Sequence, residues 1–132
     1  MPQMAYRGMA DRKPLVWVGS TLRDLQRFPT AVQRTMGFAL HVAQLGEKHP
    51  DAKPLKGFGG AGVLEAVEDH GGDTFRVVYT VRLAGRVYAI HPFQKKSKRG
   101  TSTPTKELEL IRQRLREAET IHRAWLEEQE QG

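Results

Sequence analysis

The sequence contains no cysteine, which excludes a disulfide framework and any metal site built on thiolates. It also has no stretch approaching the roughly 18 uncharged apolar residues that a membrane-spanning helix requires. Met1 to Pro14 lack the apolar core of a secretory signal, so a cytoplasmic location without membrane attachment is expected. The five histidines, His41, His49, His70, His91 and His122, include no pair at metal-ligand spacing. Gly57, Gly59, Gly60 and Gly62 only resemble a phosphate-binding loop, because they lead into a strand and not a helix N-terminus. Neither a metal nor a cofactor is therefore expected.

What is present is enough for one domain. The chain has 132 residues, of which 39% are hydrophobic and 27% charged, so it can bury a core. Lys plus Arg outnumber Asp plus Glu by 21 to 15, a net charge of +6. Such a surplus favours a polyanionic partner, nucleic acid first. Residues 1 to 13, with Arg7, Asp11, Arg12 and Lys13 and little apolar periodicity, are expected to be a flexible tail ahead of a single domain over residues 14 to 128.

Periodicity supplies the elements. Leu15 to Val18 form a short apolar run closed by Gly19, a strand. Leu22, Leu25 and Phe28 follow Ser20 and Thr21 at helical spacing until Pro29. Thr30 and Gln33 have the form of a capping box, and Val32, Met36, Ala39, Leu40 and Ala43 then mark one helical face up to Gly46. The proline- and glycine-rich stretch from Pro50 to Gly62 is expected to be a loop carrying Lys53 and Lys56. Val63 to Glu68, Phe75 to Leu83 and Val87 to Phe93 read as an antiparallel meander. In its middle run Phe75, Val77, Tyr79, Val81 and Leu83 alternate with Arg76, Val78, Thr80 and Arg82. That pattern predicts one apolar face, covered by helices, and one face bearing arginines. A cationic run, Gln94 to Gly100, precedes Thr103-Pro104, a helix start. Leu108, Ile111, Leu115 and Ala118, extended by Trp125, stripe a long helix that should fray towards Gly132. The class is α+β, with the order β-α-α-β-β-β-α.

Four runs on these elements, Leu55-Lys56-Gly57, Gly62-Val63-Leu64-Glu65, Phe75-Arg76-Val77-Val78-Tyr79 and His91-Pro92-Phe93-Gln94-Lys95-Lys96, together resemble the RelE/ParE toxin superfamily, most of all its phage-derived, HigB-like branch. The resemblance covers roughly residues 14 to 118. It implies a RelE-like fold, an antiparallel sheet packed against two N-terminal helices and a C-terminal helix. It also implies a toxin of a two-gene module, held inactive by a small helix-turn-helix antitoxin. Most such toxins are ribosome-dependent mRNA endoribonucleases, and ParE-like members instead inhibit DNA gyrase without chemistry.

Metal-independent RNA cleavage uses the substrate's 2′-hydroxyl as nucleophile, with cations to stabilise the phosphorane-like transition state and a proton carrier for the leaving 5′-oxygen. The resemblance assigns the phosphate-facing arginine to Arg76 and the cationic turn to Lys95 and Lys96. Its ordinary alternative is a strand arginine paired with Glu65 or Glu68 across the sheet. His91 is the nearest proton carrier by chemistry, although its alternation with Val87, Ala89 and Phe93 fits a packed position equally well. Lys56, Arg82, Lys98 and Arg99 are expected to contact RNA phosphates. The chain departs from the RelE pattern in two respects: Glu65 and Glu68 stand where lysines are usual, and no tyrosine follows Tyr88.

Overall fold

In the computed structural model, residues 12–60, 62–95 and 103–131 are described. The elements are β1 (Leu15–Trp17), α1 (Thr21–Leu25), α2 (Thr30–Gln44), β2 (Ala52–Pro54), β3 (Val63–His70), β4 (Asp73–Thr80), β5 (Val87–Lys95) and α3 (Thr105–Gln131). The expected α+β order is present, with one addition. Ala52–Pro54, inside the stretch expected to be a loop, forms a short edge strand antiparallel to β3, with Lys53 opposite Glu65. A strand this short gives no periodicity to read, and Pro54 is tolerated because it lies at the sheet's edge. The sheet order is β1-β5-β4-β3-β2. The meander is antiparallel, and β1 joins its far side parallel to β5.

The β3–β4 hairpin turns on Gly71 and Gly72 alone, with φ of 61° and 88°. Two consecutive left-handed residues match the twist of the strands and are available cheaply only to glycine. The strands therefore run closer to the turn than expected, to His70 and from Asp73.

The expected capping box at Thr30 is not made. Pro29 is the N-cap, no side chain caps the helix, and Gln33 reaches back to donate to the carbonyls of Gln26 at 3.0 Å and Phe28 at 2.7 Å. Its amide thus ties α2 to the end of α1, a role that the spacing alone does not distinguish from a cap. The last helix runs as one element to Gln131.

Both sheet faces are covered, not only the apolar one. On one face Val32, Met36, Ala39, Leu40 and Ala43 of α2 pack on Leu64, Ala66, Phe75, Val77, Tyr79, Val87 and Ala89. On the other, Ile111, Leu115 and Ala118 of α3 pack on Val63, Val78, Tyr88, Ile90 and Phe93. Among the described residues no helix is long and apolar enough to cross a membrane.

Candidate active site

A register shift decides which side chains share a face. Val78 pairs with His91, but its neighbour Tyr79 pairs with Ala89, so Ile90 is an extra residue in β5, a β-bulge. Before the bulge Val87 and Ala89 face α2. Beyond it His91, Phe93 and Lys95 oppose Val78, Arg76 and Thr74, so strict alternation, which groups His91 with Val87 and Ala89, fails here. The bulge places His91 and Lys95 on the face that α3 covers, where Arg76 of β4 stands by simple alternation with Val78.

On that face Arg76 is buried, 7% exposed, and its Nη1 donates to Glu65 Oε1 of the neighbouring strand, itself 4% exposed. The pair is diagonal: Glu65 stands opposite Val78, and Arg76 opposite Val67. Arg76 Nε is buried with no partner among the described residues. Both residues line an open cleft of about 510 Å³ between β2, the Leu55–Gly57 turn and the start of α3, whose other charged walls among the described residues are Lys53, Lys56 and Arg112. No described carboxylate lies within ion-pair distance of those three cations. The cleft therefore sets four cations around one carboxylate, and its local charge attracts anions more strongly than the net charge alone suggests.

His91 lies in a different environment. It is 6% exposed, its ring stacks on Phe93 with centroids 5.6 Å apart, and both nitrogens are engaged. Arg114 Nη1 lies 3.1 Å from Nδ1, and because a guanidinium can only donate, Nδ1 is the acceptor. The ring proton therefore sits on Nε2, which faces Glu107 Oε1 at 3.3 Å. Burial pushes the His91 pKa below its ordinary value; Glu107 pulls it back up and Arg114 pushes it further down. Arg114 also donates to the Ile90 carbonyl at the bulge (3.1 Å) and to Ser20 Oγ (2.9 Å), and Ser20 in turn donates to Asp24 (2.7 Å). This chain fastens α3 to the bulge and to α1.

A second anchor lies further along α3. Tyr88 Oη and His122 Nδ1 are 2.9 Å apart, and Arg86 lies 3.3 Å from the same hydroxyl and 4.4 Å over the Trp125 ring. Trp125, at the end of the α3 stripe, thus packs on the β4–β5 connection. Burial, followed by the charge of Arg86, pushes the His122 pKa down.

Of the residues expected to act, Arg76 and Lys56 are brought together in the cleft. His91, Lys95 and Arg82 are not among the described residues lining it. Arg82 is exposed just beyond the end of β4, and Lys95 is half-buried at the end of β5 opposite Thr74. Lys96, Lys98 and Arg99 lie outside the described residues. Glu65, taken in the sequence as a departure from pattern, is inside the cleft, and Lys53 and Arg112 join it. The alternation Val63, Glu65, Val67 against Arg76 and Val78 carried the signal for Glu65. Arg112 gave none, being one of several arginines on a helix whose rotation depends on packing. Among the described residues no three His, Asp or Glu side chains are grouped to hold a metal ion.

Residues 23–116 match the family model described as Phage derived protein Gp49-like (DUF891). No curated protein matches. Among solved structures, a chain of the toxin–antitoxin complex RelBE2 from Mycobacterium tuberculosis is similar at 17% identity and a TM-score of 0.42, over 65% of this chain and 94% of that one. The family match runs from within α1 through α2, β2 and the meander into the first half of α3 and covers every described residue that lines the cleft, and the chain therefore belongs to the phage-derived Gp49-like family.

Proposed function

We propose that the chain is the toxin of a type II toxin–antitoxin module and a metal-independent endoribonuclease acting on mRNA at the ribosome. The observation that carries this reading is the cleft, where, among the described residues, Arg76 with its unpartnered Nε and three cations that form no ion pair surround a single carboxylate. A phosphate oxygen is the acceptor that Arg76 lacks, and a guanidinium holds it in a directed, charge-assisted geometry.

In the proposed mechanism Glu65 takes the proton of the 2′-hydroxyl, whose oxygen attacks the adjacent phosphorus. Arg76, Lys53 and Lys56 hold the charge that builds on the non-bridging oxygens. The bond to the 5′-oxygen breaks, that oxygen takes a proton from the ammonium of Lys53, Lys56, Lys95 or Lys96, and the products are a 2′,3′-cyclic phosphate and a 5′-hydroxyl. His91 supports the site from behind, since both of its nitrogens are engaged in holding α3 and the bulge together. Arg82, Lys98 and Arg99 supply further phosphate contacts that set affinity and salt dependence. The partner that silences the toxin is a helix-turn-helix antitoxin, and the compartment is the cytoplasm.

Expression from a tightly repressed promoter, with growth followed and new 5′ ends mapped across cellular mRNA, tests this reading against R76A. Growth arrest with codon-phased cuts in translated messages, both lost in R76A, is the expected outcome. Arrest without new ends would replace the nuclease by a gyrase-type target, and absence of arrest would remove the toxin reading altogether.

A further inference from the structure

Arg112 differs from the other cations of the cleft. Lys53 and Lys56 are exposed ammonium groups on the β2 edge and its turn, whereas Arg112 comes from α3 on the opposite wall and lies over an aromatic ring, 5.2 Å from the centroid of Phe58. Phe58 is half-buried, packed against the cluster of Val63, Ile111 and Leu115. Arg112 lines the cleft and Phe58 does not. The surface offered to a ligand is thus a guanidinium with a fixed aromatic ring behind it.

A phosphate site needs only charge at this position. A planar cation backed by an aromatic ring adds a face on which an unpaired base can stack, a contact that every base can make. We propose that Arg112, backed by Phe58, is a stacking subsite for one unpaired base of the RNA whose phosphate lies at Arg76. The inference rests on the RNA-binding reading of the cleft and adds its substrate requirement: single-stranded RNA with a base present at one defined position from the bound phosphate. A duplex, whose bases are already stacked on one another, does not satisfy it.

The test is binding of a short 2′-O-methylated RNA, which cannot be cleaved through its 2′-oxygen, measured by fluorescence anisotropy. Intact RNA is compared with a set of strands from which one base at a time has been removed. For the wild type, one abasic position is expected to weaken binding by roughly 5- to 100-fold, the range of a base–side-chain stack. R112K keeps the charge and therefore the salt dependence, but removes the planar face, so the same abasic position should cost nothing. F58L should lose most of the effect in the same way. If R112K retains the abasic penalty, Arg112 acts as a charge and the stacking subsite is wrong. If R76A weakens binding but no abasic position matters in the wild type, the phosphate site stands and the subsite falls. If binding is absent or indifferent to R76A, both the RNA reading of the cleft and the subsite are overturned.

Discussion

The two faces of the sheet solve different problems. The face under α2 is built from aliphatic and aromatic side chains, Val32, Met36, Leu40, Val77 and Tyr79 among them. Among the described residues the buried charged and titratable groups other than Tyr79, namely Glu65, Arg76, Tyr88, His91, Arg114 and His122, lie on the α3 side. Burying apolar surface contributes about 25 cal/mol per Å² with little demand on geometry. Burying an ion pair contributes little net stability, because desolvation offsets most of the attraction. The difference teaches that the α2 face holds the fold, while the α3 face accepts groups that the fold does not need and that the cleft does.

That contrast can be broken at several points. Leu40→Ala, in the middle of the apolar face, should cost about 2–5 kcal/mol in denaturant-melted stability while leaving the activity per folded molecule unchanged; a selective loss of activity would show that the faces are not separable. Arg114→Met keeps the bulk of the side chain but leaves Ser20 and His91 without the guanidinium that donates to them, and the Ile90 carbonyl with Thr21 Oγ1 as its remaining side-chain donor. It should cost about 2 kcal/mol, and amide exchange should show α3 loosening before α2.

Acid should act on the same side. His91 and His122 both have folded-state pKa values pushed below the ordinary imidazole value, by burial first. Their stabilising contribution is therefore complete above about pH 6.5. It is lost as the pH falls below that value, because the unfolded chain takes up protons first. Denaturation midpoints should fall between about pH 7.5 and about pH 5.5, and His122→Gln should flatten part of that slope. A midpoint that rises on acidification would contradict the assignment. The smallest effect expected is a gain. Tyr79 brings a hydroxyl onto the α2 face, buried without a partner among the described residues and with its pKa pushed up to about 12 by burial. Tyr79→Phe should leave stability unchanged or raise it by about 1 kcal/mol, measured by thermal melting.

The sequence made much of this legible where a local pattern sufficed. Period-2 runs located the meander, and the 3.6-residue stripes of Met36 and Leu40 and of Ile111 and Leu115 located the two long helices. Patterns failed where a single event outside them decided the outcome. The bulge at Ile90 moves His91 and Phe93 to the other face, and no alternation rule contains an extra residue. Gln33 serves the carbonyls before its helix because α1 ends beside it, a tertiary fact that looks in sequence like a cap. For the cleft, Arg76 and Lys56 were legible from motif and charge, but Glu65 looked like an exception until the diagonal pairing of β3 and β4 set it beside Arg76. Arg112 and Arg114 were hidden among the alternating charges of α3, since only the rotation of that helix distinguishes a cleft-lining arginine from a solvated one.

The central claim, that the Glu65–Arg76 pair serves the site and not the fold, is tested most directly by replacing both residues at once. Glu65→Met with Arg76→Met removes two buried charges while approximately keeping volume, and its melting temperature and its capacity to arrest growth with new mRNA ends can be measured on the same protein. The account predicts a chain at least as stable as the wild type that neither arrests growth nor cuts RNA. A chain that is stable and still toxic, or one that fails to fold, would contradict it.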